Sequence, residues 1–188
     1  MSLELYLAHP FDSRKDIRKW ELHFEDKTGI KLINPFFDEP SEGENFNKQD
    51  VSGHRLYDKL DSDSIVKNDI SIIKRPETYG VLAIINGNLS YGTIQEMVYA
   101  KQANKEVFSV ITNGHEKHPW LEYHSDKIFR CLGDFSKWIA PDCKYCDGVM
   151  ALAGRNKELS FDMYFCDWCD KSWMEIDKDG INEETKRY

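Results

Sequence analysis

Two periods organise the hydrophobic residues along the chain. Leu3, Leu5 and Leu7 alternate with Glu4 and Tyr6 and run into Ala8-His9-Pro10, the period-two pattern of a strand. Ile17, Trp20 and Phe24 then repeat at helical spacing. Ser13, with Asp16 three residues on, resembles a capping box opening that helix, and Gly29 is placed to close it. Residues 30–33 predict a second short strand, ended by Asn34-Pro35. Residues 36–56 are polar and predict a long loop, a length usually reserved for function or mobility. A helix is predicted over about 60–74, with Ile65, Ile70, Ile72 and Ile73 as its apolar content and Pro76 beyond it. Residues 80–85 form a continuous apolar run, as a central parallel strand covered on both faces does. The turn 86–91 leads into a helix from Gly92-Thr93 to about Ala103. Residues 107–111 predict another buried strand. After His118-Pro119-Trp120 come an amphipathic stretch at 123–129 and a last short helix at 134–139. Strand and helix alternate, which predicts an α/β fold with a doubly wound parallel sheet.

The pattern changes at Pro141. Residues 141–188 hold 11 acids, 7 bases and four of the five cysteines, with no long helical period. We read residues 1–140 as an α/β domain and 141–188 as a small second module. The whole chain of 188 residues, 40% hydrophobic and 13% aromatic, is long and apolar enough for a substantial core. Its net charge of -8 disfavours a nucleic-acid polymer as partner, because that grip needs a basic face. No apolar run reaches the roughly 18 residues that span a bilayer, so no membrane partner is expected. Glu4, His9 and Asp12 break any signal-peptide pattern, and a cytoplasmic location is the expectation.

Cys143-Lys-Tyr-Cys146 and Cys166-Asp-Trp-Cys169 are two C-x2-C knuckles. Each offers two thiolates from one tight turn, and together they match a structural zinc site, with residues 149–153 and 159–165 as ribbon strands. The other readings are free thiols or two disulfides. A closed four-thiolate site predicts structural zinc rather than catalysis. Its aromatic residues (Tyr145, Phe161, Tyr164, Phe165, Trp168 and Trp173) suit packing or a protein contact. The expectation is that the first module keeps its chemistry without the ribbon. Cys131, between Phe129 and Leu132, reads as a buried small hydrophobe.

Candidate chemistry concentrates at residues 86–96, between a buried strand and a helix, where open α/β sheets bind ligands. Gly87 and Gly92 permit close backbone approach, helix N-terminal amides attract anions, and Ser90 adds a hydroxyl. Glu96 falls in the first turn or so of that helix, where the macrodipole favours its ionised form. That suits a nucleophile, although helix stability alone would also explain a glutamate there. Asp69 on the preceding helix and Tyr6 on the first strand could reach the same crevice. Taken singly, the first reads as a solvated helix residue and the second as core. A phenol and a carboxylate beside a carboxylate nucleophile point to glycosyl transfer.

Tyr6-Leu-Ala-His-Pro-Phe11, Asn34-Pro-Phe-Phe, Ile65-Val-Lys-Asn-Asp69, Gly80-Val-Leu-Ala-Ile-Ile and Tyr91-Gly-Thr-Ile-Gln-Glu96-Met-Val-Tyr-Ala100, in that order, resemble the nucleoside 2-deoxyribosyltransferase family over about residues 3–139. The resemblance implies a flavodoxin-like sheet and a homo-oligomer with shared active sites. It implies Glu96 as nucleophile, Asp69 as the acid assisting at sugar and base, and Tyr6 as the tyrosine that orients the nucleophile. His9, Pro10, Phe11, Asn88, Ser90 and Gly92 are the corresponding substrate-binding candidates. The transferases commonly carry Asp six residues before the nucleophile; Ser90 stands there instead and resembles the branch that hydrolyses 2′-deoxynucleoside 5′-monophosphates. A hydroxyl can donate to a phosphate that a carboxylate would repel. The resemblance leaves the zinc module unexplained. The expected activity is therefore N-glycosidic cleavage of deoxynucleotides by a retaining route through a covalent Glu96 intermediate. The alternatives are base exchange on deoxynucleosides, cleavage of another N-glycoside, and a non-catalytic nucleotide-binding or protein-interaction module.

Overall fold

Side chains on a strand alternate between the two faces of its sheet, and here both faces are covered. In the computed structural model, which describes residues 3–38, 62–87, 89–112 and 114–176, the first strand, β1 (Glu4–Ala8), lies inside a five-stranded parallel sheet. A 3-10 turn (Phe11–Ser13) and α1 (Arg14–Thr28) lead to β2 (Lys31–Ile33). Then follow α2 (Ser62–Lys74), β3 (Thr78–Ile85), α3 (Tyr91–Gln102), β4 (Glu106–Ile111), α4 (Pro119–His124), β5 (Lys127–Phe129) and α5 (Leu132–Ile139). The strand order β2-β1-β3-β4-β5 is the flavodoxin-like one, with its switch point between β1 and β3.

One face of the sheet sends Leu5, Leu7, Leu82, Ile84, Phe108 and Val110 against Ile17 and Phe24 of α1 and Phe135 and Ile139 of α5. The other sends Tyr6, Ala8, Val81, Ala83 and Ile85 against Ile72 and Ile73 of α2, Met97 and Ala100 of α3 and Leu121 of α4. The period of two therefore puts Tyr6 on the α2–α3 side. Gly80 is required by the sheet itself, since a Cβ there would collide with the Glu106 carbonyl of the neighbouring strand.

The C-terminal segment forms a three-stranded antiparallel ribbon, β6 (Ala151–Asn156), β7 (Phe161–Cys166) and β8 (Lys171–Ile176). Leu152, Tyr164 and Cys166 of its inner face enter the same hydrophobic cluster as Phe108 and Phe135. Charged groups seal the join. Arg155 pairs with Asp162 at 2.8 Å and Glu106 at 3.4 Å, and Lys157 bridges Glu106 at 2.9 Å and Asp126 at 2.8 Å. Trp138 of α5 donates from Nε1 to Asp162 Oδ2 at 3.0 Å.

Four sequence expectations change. Ser13 makes no capping box: the 3-10 turn holds it in a helical conformation, and its hydroxyl donates to the Pro10 carbonyl at 3.0 Å. Cys131 is exposed rather than buried, and its sulfur caps α5 by accepting from the Asp134 N–H at 3.3 Å. The stretch 123–129 is the end of α4 followed by β5, not one amphipathic element. The ribbon has a third strand, β8, whose exposed face gave no burial signal. Most of the expected loop at 36–56, and Leu60, lie outside the described residues. Among the described residues no helix is long and apolar enough to cross a membrane.

Candidate active site

At the carboxyl ends of β1 and β3 the chain leaves the sheet in opposite directions and opens a crevice. Helical spacing aims two carboxyls at it from one side. On α3, Thr93, Met97 and Ala100 are buried, and Glu96 lies on that same face. On α2, Ile72 and Ile73 are buried and Asp69 sits one turn before them. From the sheet, the fully buried Tyr6 donates its hydroxyl to Glu96 Oε1 at 2.9 Å. Asp69 is within hydrogen-bonding reach of the same phenol. The three residues singled out by the sequence thus meet in one place.

Burial dominates their electrostatics. Glu96 is raised from its ordinary range to about 8, by burial first and the Asp69 charge second, with the Tyr6 hydrogen bond acting the other way. Tyr6 is pushed well above its ordinary value by burial, then by the Glu96 and Asp69 charges. Glu96 lies in the second turn of α3, and no acid occupies the first. The macrodipole therefore does not set its charge state as the sequence suggested; desolvation and a like charge do.

Ser90 is the N-cap of α3, with extended backbone, and its Oγ accepts from the Thr93 N–H at 3.5 Å. That acceptor role leaves the hydroxyl proton for a ligand. Gly92 is exposed, and a Cβ there would meet only Ser90 Oγ, at an ordinary 3.8 Å, so internal packing does not demand glycine. Ser90 lies in a cleft of about 310 Å³ that also includes Tyr91, Ile94, His118, Trp120 and Leu121. The sequence had not marked Trp120 for this cleft; its signal was a large aromatic residue in a connection, and it is 61% exposed. Ser90 and Glu96 are separated by about 9 Å along the helix axis.

His9, Pro10 and Phe11 form the turn after β1. His9 is buried, with Nδ1 facing the Pro10 carbonyl at 3.1 Å and Nε2 facing Asn34 Oδ1 at 3.3 Å; both partners are acceptors, so the neutral ring donates to one of them. Burial lowers it to about 4. Asn88 lies outside the described residues.

The four knuckle cysteines come together with all Sγ atoms within 4.8 Å of one another. Cys143–Cys169 and Cys146–Cys166 are each 3.7 Å apart, much longer than a disulfide and close to the roughly 3.8 Å edge of a tetrahedron with 2.3 Å metal–sulfur bonds. Backbone N–H groups of Tyr145 and Gly148 donate to Cys143 and Cys146 sulfurs at 3.4 Å. A Cβ at Gly148 would stand 3.3 Å from the Cys146 sulfur and from Trp168 Cβ, so the sulfur cluster itself favours glycine. The donor set fits a tetrahedral metal ion.

No protein-family model matches the chain, and no curated protein matches it. Among solved structures, a 2-deoxyribosyltransferase of Bacillus psychrosaccharolyticus is similar with a TM-score of 0.52 at 20% identity, over 71% of this chain and 90% of that one. The CMP N-glycosidase BcmB of Clostridium botulinum has a TM-score of 0.45 at 17% identity, over 72% of this chain and 96% of that one. At such identity the first likeness establishes a shared fold, the one that the sequence resemblance implies.

Proposed function

We propose that this protein is an N-glycosidase of 2′-deoxynucleoside 5′-monophosphates. The observation that carries the reading is the Tyr6–Glu96 hydrogen bond in a half-buried crevice that also holds Asp69. Tyr6 donates to Oε1 and so leaves Oε2 to attack C1′. With Glu96 raised to about 8 beside Asp69, the two carboxyls hold one proton between them near neutrality. That proton goes to the departing base, which keeps the electron pair of the broken C1′–N bond. The now ionised Glu96 forms the C1′–O bond of a glycosyl-enzyme ester. Water, deprotonated by Asp69, then attacks C1′ and releases Glu96. Two displacements leave free base and 2-deoxyribose 5-phosphate with net retention.

The phosphate would lie at Ser90 and Gly92, where a hydroxyl and the exposed start of a twelve-residue helix offer donors without a negative charge. The exposed Tyr91, Trp120 and Tyr123 around the adjoining cleft suit closure by a second copy of the chain, as expected for shared active sites in a homo-oligomer. The four cysteines would hold one structural Zn2+, which draws no group from the crevice, and their thiolates favour a reducing, cytoplasmic setting.

A panel of nucleosides and 5′-monophosphates, with and without an acceptor base, analysed by chromatography, tests this. Base release from deoxynucleoside monophosphates without acceptor is expected. Turnover only when an acceptor base is present would make it a transferase, and no release from any member of the panel would leave a nucleotide-binding module.

A further inference from the structure

Glu21 has no solvent exposure, although it lies on α1 between Ile17 and Phe24, which feed the core. A leucine would be buried there at no electrostatic cost, whereas an ionised carboxyl needs partners. It has two. Arg18, one turn earlier, forms an ion pair with it, and Asn34 Nδ2 donates to Oε2 at 2.6 Å. Asn34 is itself fully buried at the end of β2, with every polar atom of its side chain committed. Its Oδ1 accepts from the Phe36 N–H at 3.1 Å and faces His9 Nε2 at 3.3 Å, while its backbone N–H donates to Asp38 Oδ2 at 2.7 Å. Asp38 also meets Arg18 at 3.2 Å.

The carboxyl on one side and the Phe36 N–H on the other set which way the Asn34 amide points, and the carboxyl holds it there from within the core. Facing an acceptor, Nδ2 must turn toward Glu21, which leaves Oδ1 for His9 and Phe36. The His9 ring then packs on Phe36 at 4.9 Å between centroids, and Phe36 packs on Phe11 at 5.7 Å. Arg14 covers the other side of Phe11 at 3.6 Å. This chain of contacts joins one buried carboxyl to the turns that follow β1 and β2, at the same carboxyl edge of the sheet as the crevice.

We propose that Glu21 is a positioning residue. Through the Asn34 amide it fixes His9 and the Phe36–Phe11 pair at the crevice rim, and so sets affinity for the nucleotide without touching it. This deepens the reading of the crevice as a nucleotide site and rests on it. Glu21→Gln preserves shape but replaces a carboxyl acceptor with an amide, which weakens the hold on Asn34 Nδ2 and loosens that side chain against His9. Long-range ¹H–¹⁵N spectra of the histidine rings, with His9 assigned through a His9→Gln variant, should show the His9 nitrogens shifted in Glu21→Gln and the other histidines unmoved. KM for a 2′-deoxynucleoside 5′-monophosphate should rise about tenfold with kcat within about twofold, as befits loss of a rim contact. Unmoved His9 resonances in a folded variant would overturn the proposal, as would shifted resonances with an unchanged KM. If the wild-type chain releases no base, the functional reading fails separately: shifted resonances still uphold the Glu21–His9 link, and unmoved ones sink it. Should Glu21→Gln not fold, Asn34→Ser cuts the same link, leaves the Glu21–Arg18 pair in place, and is read by the same two measurements.

Discussion

A carboxyl that attacks carbon must be ionised, yet burial and the Asp69 charge hold Glu96 near 8. The proton it shares with Asp69 near neutrality is the one passed to the departing base, so kcat/KM should fall on the alkaline side with its midpoint near 8 when base release is followed from pH 5 to 10. Tyr6→Phe removes the hydrogen bond that favours the carboxylate, so that alkaline limb should move upward in pH. Glu96→Gln should lower turnover by several powers of ten. It should also stabilise the fold, in a pH-dependent way. Because the folded value lies above the unfolded 4.5, the native chain holds a proton that the unfolded chain releases between about 4.5 and 8. Wild-type stability is lost as pH rises through that window, and the glutamine variant has no such loss. The Tm difference between them should thus grow from pH 5 to pH 8 and then level; a difference independent of pH would contradict the buried, proton-bearing Glu96. Periodicity alone left Tyr6 as core and Asp69 as a solvated helix residue; it was the family resemblance that grouped them with Glu96 in the sequence. The Glu21–Asn34–His9 contacts were not legible there, since they join positions 13 and 25 residues apart through side-chain orientation alone.

At the scale of elements, the start of α3 does two jobs that a substitution can separate. Ser90 caps the helix and, in the proposed function, donates to phosphate. Asp is as good a cap as Ser, whereas Ala costs about 1 kcal/mol at such a position. Ser90→Asp should therefore keep the wild-type Tm while raising KM for 5′-monophosphates at least about tenfold more than for the unphosphorylated nucleosides, because it sets a carboxylate against a dianion. Ser90→Ala should lower Tm and weaken both substrate classes less selectively. Equal losses for both classes in Ser90→Asp would remove phosphate from this helix start. The helix boundaries themselves show what a single sequence discloses. Gly29 was readable as a terminus because its left-handed φ of 69° is a property of glycine. The missing Ser13 cap was not, because the 3-10 turn before α1 puts Ser13 in a helical conformation with its hydroxyl on the Pro10 carbonyl. β8 gave no pattern because its outward residues, Met174 and Ile176, are apolar and exposed.

At the scale of the molecule, the ribbon and the sheet share one hydrophobic cluster and a set of ion pairs, and this sets what loss of a metal held by the four cysteines would do. Residues 141–188 read as a separate module because composition changes at Pro141. That change could not show that Tyr164 and Leu152 would be buried beside Phe108 and Trp138. If the cysteines lose their ion, the turns holding Cys143 and Cys166 loosen, and Arg155 and Lys157 lose their fixed place opposite Glu106, Asp162 and Asp126. Removing the ribbon takes Arg155 and Lys157 away from Glu106 and Asp126 of the sheet. It also uncovers the Phe108–Trp138 aromatic contact, whose ring centroids are 5.0 Å apart. Truncation after Ala140 is therefore expected to cost several kcal/mol, on the order of deleting one or two core aromatics, and to leave a sticky face. Chelation of the intact protein should lower Tm and release about one zinc per chain by elemental analysis. The crevice lies at the opposite, carboxyl ends of β1 and β3 and uses no thiolate, so turnover below the lowered Tm should persist and then fall together with the near-ultraviolet signal of the core. Activity vanishing at once on chelation, with the circular dichroism of the sheet unchanged, would show that the ribbon shapes the crevice directly; an unchanged Tm would show that the shared cluster does not bind the two parts into one cooperative unit.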